Sequence, residues 1–194
     1  MKYILGADPG MTGALALLDQ HGNLMVTADI HGSDGRVDSG AIRDTLDQWK
    51  MRYGIDMAVV ENVGSMPKQG VSTTFKFGRA TGNLEGVIQG LYISMALVTP
   101  AQWKSKLKMT GKAKDYPRQW CAQRWPTVDD FKPKLKGQAR ADAACLALAW
   151  LEMHPEFREA SDRLTKLLTE PSVLEGGPKP PPSKRPPPRH SIVP

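Results

Sequence analysis

Three acids stand where this sequence invites chemistry. Asp8 ends the apolar run Tyr3-Ile4-Leu5 within "GADPGMTG", Glu61 ends Met57-Ala58-Val59-Val60, and Asp142 sits at the start of the Ala- and Leu-rich run "ADAACLALAWL". A carboxylate at the edge of a buried element is costly unless something satisfies it. Carboxylates that converge also repel one another and hold their protons more tightly. A shared cation removes both penalties, and hard oxygen donors favour Mg²⁺, with Mn²⁺ as its substitute, over zinc. Two such ions about 3.5 to 4 Å apart stabilise the attacking and leaving oxygens of an in-line phosphoryl displacement. Each acid alone has a plainer reading. Asp-Pro-Gly is a common turn, a strand-end Glu is often a surface residue, and an acid in a first helical turn is favoured by the macrodipole. The metal reading rests on the three together.

The elements that must position them are legible in outline. From Tyr3 to Ile30 the pattern is strand, tight turn, strand, turn at His21-Gly22-Asn23, strand, which predicts an antiparallel meander. A helix follows over about Ser39 to Arg52, with Ile42, Leu46 and Trp49 on one stripe. Met57–Val60 is a short continuous apolar run, the mark of a central strand covered on both faces. A Gly-rich, basic loop over Gly64 to Gly70 leads to a helix from about Thr73 to Gly90, where Gly82, Gly86 and Gly90 share one face and permit a close backbone approach. Ala96-Leu97-Val98 is a further strand. Thr99, Pro100 and Gln102 then compose a helix start with a capping box. Helices are expected near Pro117 to Arg124 and over Arg140 to His154, the latter placing Asp142 in its first turn. Strands first, then strands alternating with helices, predict an α/β fold. Its sheet is mixed, an antiparallel meander followed by parallel strands, with helices on both faces.

Charge is unevenly spread. The 194 residues carry a net +6, yet Thr99 to Arg140 alone holds eleven Lys and Arg against three Asp, so the rest is slightly acidic. A basic segment beside an acid cluster suits a polyanionic substrate, although charged runs are as often solvated faces. Trp103, Trp120 and Trp125 read as core. Nine of the 16 prolines lie in Pro171 to Pro194, so this basic tail is expected to be disordered or polyproline-like. The expected organisation is a nuclease domain over 1–155, a helical extension over 156–170 and the Pro-rich tail over 171–194.

Other classes find no support. There is no apolar run of about 18 residues for a membrane span and no signal-peptide pattern, so a cytoplasmic location is expected. Cys121 and Cys145 make neither a metal spacing nor a disulfide framework. The histidines form no HExxH, and no GxxxxGK[ST] is present, so neither zinc chemistry nor a nucleotide cofactor is indicated.

Six stretches, "ILGADPGMTGALALLD", "AVVENVG", "FKFGRATGNLEGVI", "LVTPAQWKSKL", "GKAKD" and "GQARADAACLALAWL", occur in an order that resembles RuvC-type Holliday-junction resolvases, especially the bacteriophage-like branch, over about Met1 to Leu151. The resemblance implies a ribonuclease H-like fold and a homodimer. It also implies Mg²⁺-dependent cutting of four-way or other branched DNA that leaves 5′-phosphate and 3′-hydroxyl ends. It makes Asp8, Glu61 and Asp142 catalytic metal ligands, and Lys104, Lys112, Lys114, Lys68 and Arg79 DNA contacts. Two features depart from the family. Its last helix carries D-A-A-D, whereas here the run is Asp142-Ala143-Ala144-Cys145: Cys145 replaces the second acid if Asp142 matches the first, and Ala139 replaces the first if Asp142 matches the second. The family's aromatic after the Glu-bearing strand is Gly64 here, with Met66 and Phe75 as conceivable substitutes. The competing expectations are a non-catalytic branched-DNA-binding relative and a nuclease acting on RNA–DNA hybrids.

Overall fold

The computed structural model describes residues 1–33, 35–64 and 70–158, the side chains of Lys134 and Leu135 excepted. Strands β1 (Tyr3–Asp8), β2 (Ala14–Asp19) and β3 (Leu24–Asp29) form the expected meander. A hairpin follows, β4 (Gly32–Ser33) and β5 (Arg36–Val37), whose two-residue strands are too short for an alternation pattern to reveal. Then come α1 (Ser39–Tyr53), β6 (Met57–Glu61), α2 (Val71–Gly90), β7 (Met95–Val98), α3 (Pro100–Lys106), α4 (Tyr116–Arg124), a 3₁₀ turn (Asp129–Phe131) and α5 (Lys134–Met153).

The main sheet has the order β3-β2-β1-β6-β7. Its first three strands pair antiparallel and β1-β6-β7 pair parallel, so the mixed sheet is as expected. Strand alternation divides the core in two. Ile4, Ala16, Leu18 and Val59 face α5 together with Trp103, Cys121 and Phe131. Leu5, Ala7, Leu15, Leu17, Ala58 and Val60 face the apolar stripes of α1 and α2. Asp8 lies two residues beyond Gly6, and Glu61 two beyond Val59. Both therefore belong to the α5 side.

Gly6 sets how close α5 can come. A Cβ there would lie 1.9 Å from the Ala143 carbonyl oxygen, so only glycine lets the helix backbone rest directly on β1. That contact brings Asp142, the residue before Ala143, to the end of the strand that carries Asp8.

Two expectations are corrected. The last helix starts at Lys134, not Arg140, so Asp142 sits in its third turn. Gly137 lies within α5, where a Cβ would come within 2.7 Å of the Phe131 carbonyl oxygen. The macrodipole fades within the first turn, so it does not account for Asp142. A Cβ on Gly82, Gly86 or Gly90 would meet nothing among the described residues within 4 Å, so the stripe packs against none of them. Among the described residues, no helix is long and apolar enough to cross a membrane. The expected tail and all of the extension beyond Arg158 lie outside the described residues.

Candidate active site

The parallel pairing of Ala7 with Val60 makes Asp8 and Glu61 the next residues on two adjacent strands, about 4.8 Å apart as strands go. α5 adds Asp142 from above the same face. The neighbouring acids act on Asp8 and Asp142. Burial pushes the Asp8 carboxyl well above its ordinary value; Glu61 and then Asp142 push it further, with Lys104 opposing. Burial also raises Asp142, to about 6, with Glu61 adding to the rise while a hydrogen bond from Gln138 and the charges of Lys104 and Lys114 hold it back.

Neutral donors hold two of the three. The Trp103 indole N–H donates to Glu61 Oε1 at 2.7 Å, and Trp103 is itself buried in the core. Its helix, α3, begins with the expected capping box, in which Thr99 and Gln102 satisfy each other's backbone N–H groups. On α5, Gln138 Nε2 donates to both Asp142 oxygens at 3.1 Å each. Gln138 Oε1 is buried and has no hydrogen-bond partner.

A cleft of about 840 Å³ is lined by Asp8, Thr12, Asp29, Lys114, Gln138 and Asp142 among others, while Glu61, turned toward Trp103, is not part of its wall. Among the described residues, no three His, Cys, Asp or Glu side chains stand close enough together to hold a metal ion. Asp8 and Asp142 thus face the space from its wall, while Glu61 is held beside it by Trp103. The donor types suit a hard divalent cation: three carboxylates, with an orphaned buried amide oxygen beside one of them.

The structure separates Cys145 from Ala139. Cys145 is fully buried, with its Sγ 3.5 Å from Cys121 Sγ, and that contact together with burial holds its thiol protonated. It points into the core. Ala139, in contrast, lines the cleft with Asp142. Of these two positions, only Ala139 lines the cleft.

Of the five proposed DNA contacts, Lys104 and Lys114 act on the acids, and Lys114 lines the cleft. The Lys112 ammonium lies 5.6 Å from the centre of the Tyr116 ring. The Arg79 guanidinium lies 5.8 Å from the Phe75 ring centre, and Arg79 lines a second cleft with Arg36 and with His31, which also lines the first. Lys68 lies outside the described residues. The basic segment is partly neutralised from within. Arg140 grips Asp29 with two hydrogen bonds of 2.7 and 3.0 Å, and Lys136 adds an ion pair at 3.3 Å. Burial raises the Asp29 carboxyl, but these partners outweigh it and hold the group below its ordinary value.

Sequence reasoning missed Trp103 and Gln138. Trp103 was legible only as core, since nothing local links it to an acid 42 residues earlier. Gln138 carried a usable signal, because it lies at i, i+4 from Asp142, a spacing at which helical side chains meet.

No protein-family model and no curated protein sequence matches the chain. Solved structures do. The chain is similar to Thermus thermophilus RuvC, with TM-score 0.61, 18% identity and 80% of this chain covering 97% of that one. Against the same protein in complex with a Holliday junction substrate, the TM-score is 0.59 at 18% identity, with 80% and 96% covered. The yeast mitochondrial Holliday junction resolvase Ydc2 gives 0.51 at 12% identity, with 84% and 83% covered. The likeness spans nearly the whole of RuvC, and it shows that this chain has the RuvC-like, ribonuclease H-like fold.

Proposed function

We propose that the protein is a structure-selective endonuclease that cuts four-way or otherwise branched DNA by metal-dependent phosphodiester hydrolysis, leaving 5′-phosphate and 3′-hydroxyl ends. One observation carries the reading: Asp8, Glu61 and Asp142 come from two strands and a helix to one end of the sheet, where the charge of Glu61 reaches both Asp8 and Asp142. Three acids so placed are unfavourable without a cation. In this reading Asp8, Glu61 and Asp142 hold the ion, Trp103 orients Glu61 through its indole N–H, and Lys104 and Lys114 offset the acids and receive the phosphodiester. Bound there, Mg²⁺ or Mn²⁺ supplies Lewis-acid stabilisation of the attacking and leaving oxygens. The protein's own contribution is to fix the donors and exclude bulk water. Two solved relatives support the choice of substrate, one in complex with a Holliday junction and one named a Holliday junction resolvase. A homodimer belongs to the same reading, with the open glycine face of α2 available to a second copy.

The test is a synthetic four-way DNA junction, labelled on each arm in turn, with and without Mg²⁺, beside a linear duplex and an RNA–DNA hybrid. Paired nicks in opposing strands, dependent on metal and absent from linear duplex, support the reading. Tight junction binding without cutting identifies a non-catalytic relative, and preferred cutting of the hybrid identifies a different substrate.

A further inference from the structure

We propose that Gln138 is the fourth member of the candidate metal cluster, a neutral amide serving where a carboxylate is lacking. The inference rests on the functional reading above. Three observations carry it. Ala139 lines the cleft beside Asp142 and offers no donor, so among the described residues Asp142 is the one carboxylate that α5 brings to the cleft wall. Gln138 is one full helical turn before Asp142, and its Nε2 is equidistant, at 3.1 Å, from the two carboxylate oxygens. A group equidistant from both oxygens occupies the approach that a bidentate cation would take. Finally, Gln138 Oε1 is buried without a partner, an arrangement that costs free energy and is uncommon in folded proteins.

A single side-chain amide accounts for all three. Its NH₂ end stands in for the cation by donating to Asp142. Its oxygen end is held in reserve, and the terminal torsion that exchanges the two ends is a soft, roughly two-fold one. With the amide turned, Oε1 faces the space beside Asp142, where it repels the carboxylate unless a positive charge lies between them. Gln138 thus keeps Asp142 aimed in the metal-free protein, and it adds a hard oxygen donor when the ion is present. Hydrogen-bonded partners of metal ligands typically alter metal affinity by about 10- to 100-fold when removed.

The experiment is calorimetric titration of the full chain with Mn²⁺, without DNA, for the wild type and for Gln138→Ala, Gln138→Glu, Asp8→Asn and Asp142→Asn. Melting temperatures in EDTA confirm that each variant folds, and alanine at position 138 suits a helix interior. The expected result is Mn²⁺ affinity lowered about tenfold or more in Gln138→Ala and restored or tightened in Gln138→Glu, which supplies the missing charge. Affinity in Gln138→Ala equal to or tighter than wild type, while Asp8→Asn and Asp142→Asn lose Mn²⁺, overturns the role of Gln138 alone. Unchanged affinity in the two acid variants overturns the metal site itself.

Discussion

Trp103, buried in the core, donates its indole N–H to Glu61 at 2.7 Å and so holds the middle carboxylate of the cluster from behind. Trp103→Phe keeps most of the packing and removes only the donor. Hydrogen bonds to charged groups contribute about 1.5–3 kcal/mol, so the melting temperature should fall by several degrees. Cleavage should drop about 10- to 100-fold, with junction binding in a gel-shift assay unaltered. Wild-type cleavage in Trp103→Phe would show that Glu61 is oriented by other means.

Removing one of the repelling acids should raise stability at the expense of function. Asp142→Asn is expected to abolish cleavage, as are Asp8→Asn and Glu61→Gln, while leaving junction binding largely intact. In EDTA, Asp142→Asn should also melt higher than the wild type, because burial and Glu61 penalise the charged form. Calorimetry with and without Mg²⁺ checks this. A lower melting temperature in EDTA would mean that the carboxylate is stabilising as it stands.

The pH dependence follows from the same shifts. Asp142 titrates near 6 in the folded chain and about 3.9 when unfolded. Between those values the native state binds more protons, so metal-free stability falls as pH rises from about 4 through 6 and then levels. Cleavage runs the opposite way, since the cluster must be ionised to hold a cation, and should decline below about pH 6. Lys104→Ala should move that decline to higher pH, because Lys104 opposes the rise at both Asp8 and Asp142. A flat cleavage profile between about pH 5 and 8 would contradict the assignment.

The position lacking an acid predicts two unequal substitutions. Ala139→Asp adds a carboxylate to the wall of the cleft and should tighten Mn²⁺ binding; it should lower stability in EDTA, where a further acid joins the repelling cluster, and regain it with Mn²⁺ present. Cys145→Asp places a charge in the core against Cys121 and should cost several kcal/mol, enough to unfold a marginal domain. Thermal melts of the two variants side by side distinguish them. Equal tolerance would show that Cys145 has access to the cleft.

Lys104→Ala and Lys114→Ala should each weaken junction binding and reduce the slope of log affinity against log salt by about one for every phosphate that the lysine neutralises. Fluorescence anisotropy at several salt concentrations reads this directly, and an unchanged slope removes that lysine from the interface.

The amino-acid order alone determined the strand meander, the covered central strand, the capped α3 and the acids at the ends of two strands. Each is written in a local pattern of apolar period, turn residues or cap, and local patterns need no partner to be read. It also carried Asp142 as a candidate, but misjudged its place in α5, because the residues before Arg140 lack the Ala- and Leu-rich run that marks the rest of the helix. What only the tertiary structure decided are relationships between distant residues. Glu61 meets Trp103 across 42 positions of sequence. Arg140 commits its charge to Asp29, 111 positions away, and so leaves the basic surface that composition assigns to it. Cys145 and Ala139 are equivalent as replacements for a missing acid on paper, and only the packing of α5 on β1 and α4 turns one toward the core and the other toward the cleft. A helix has no inside until another element covers it.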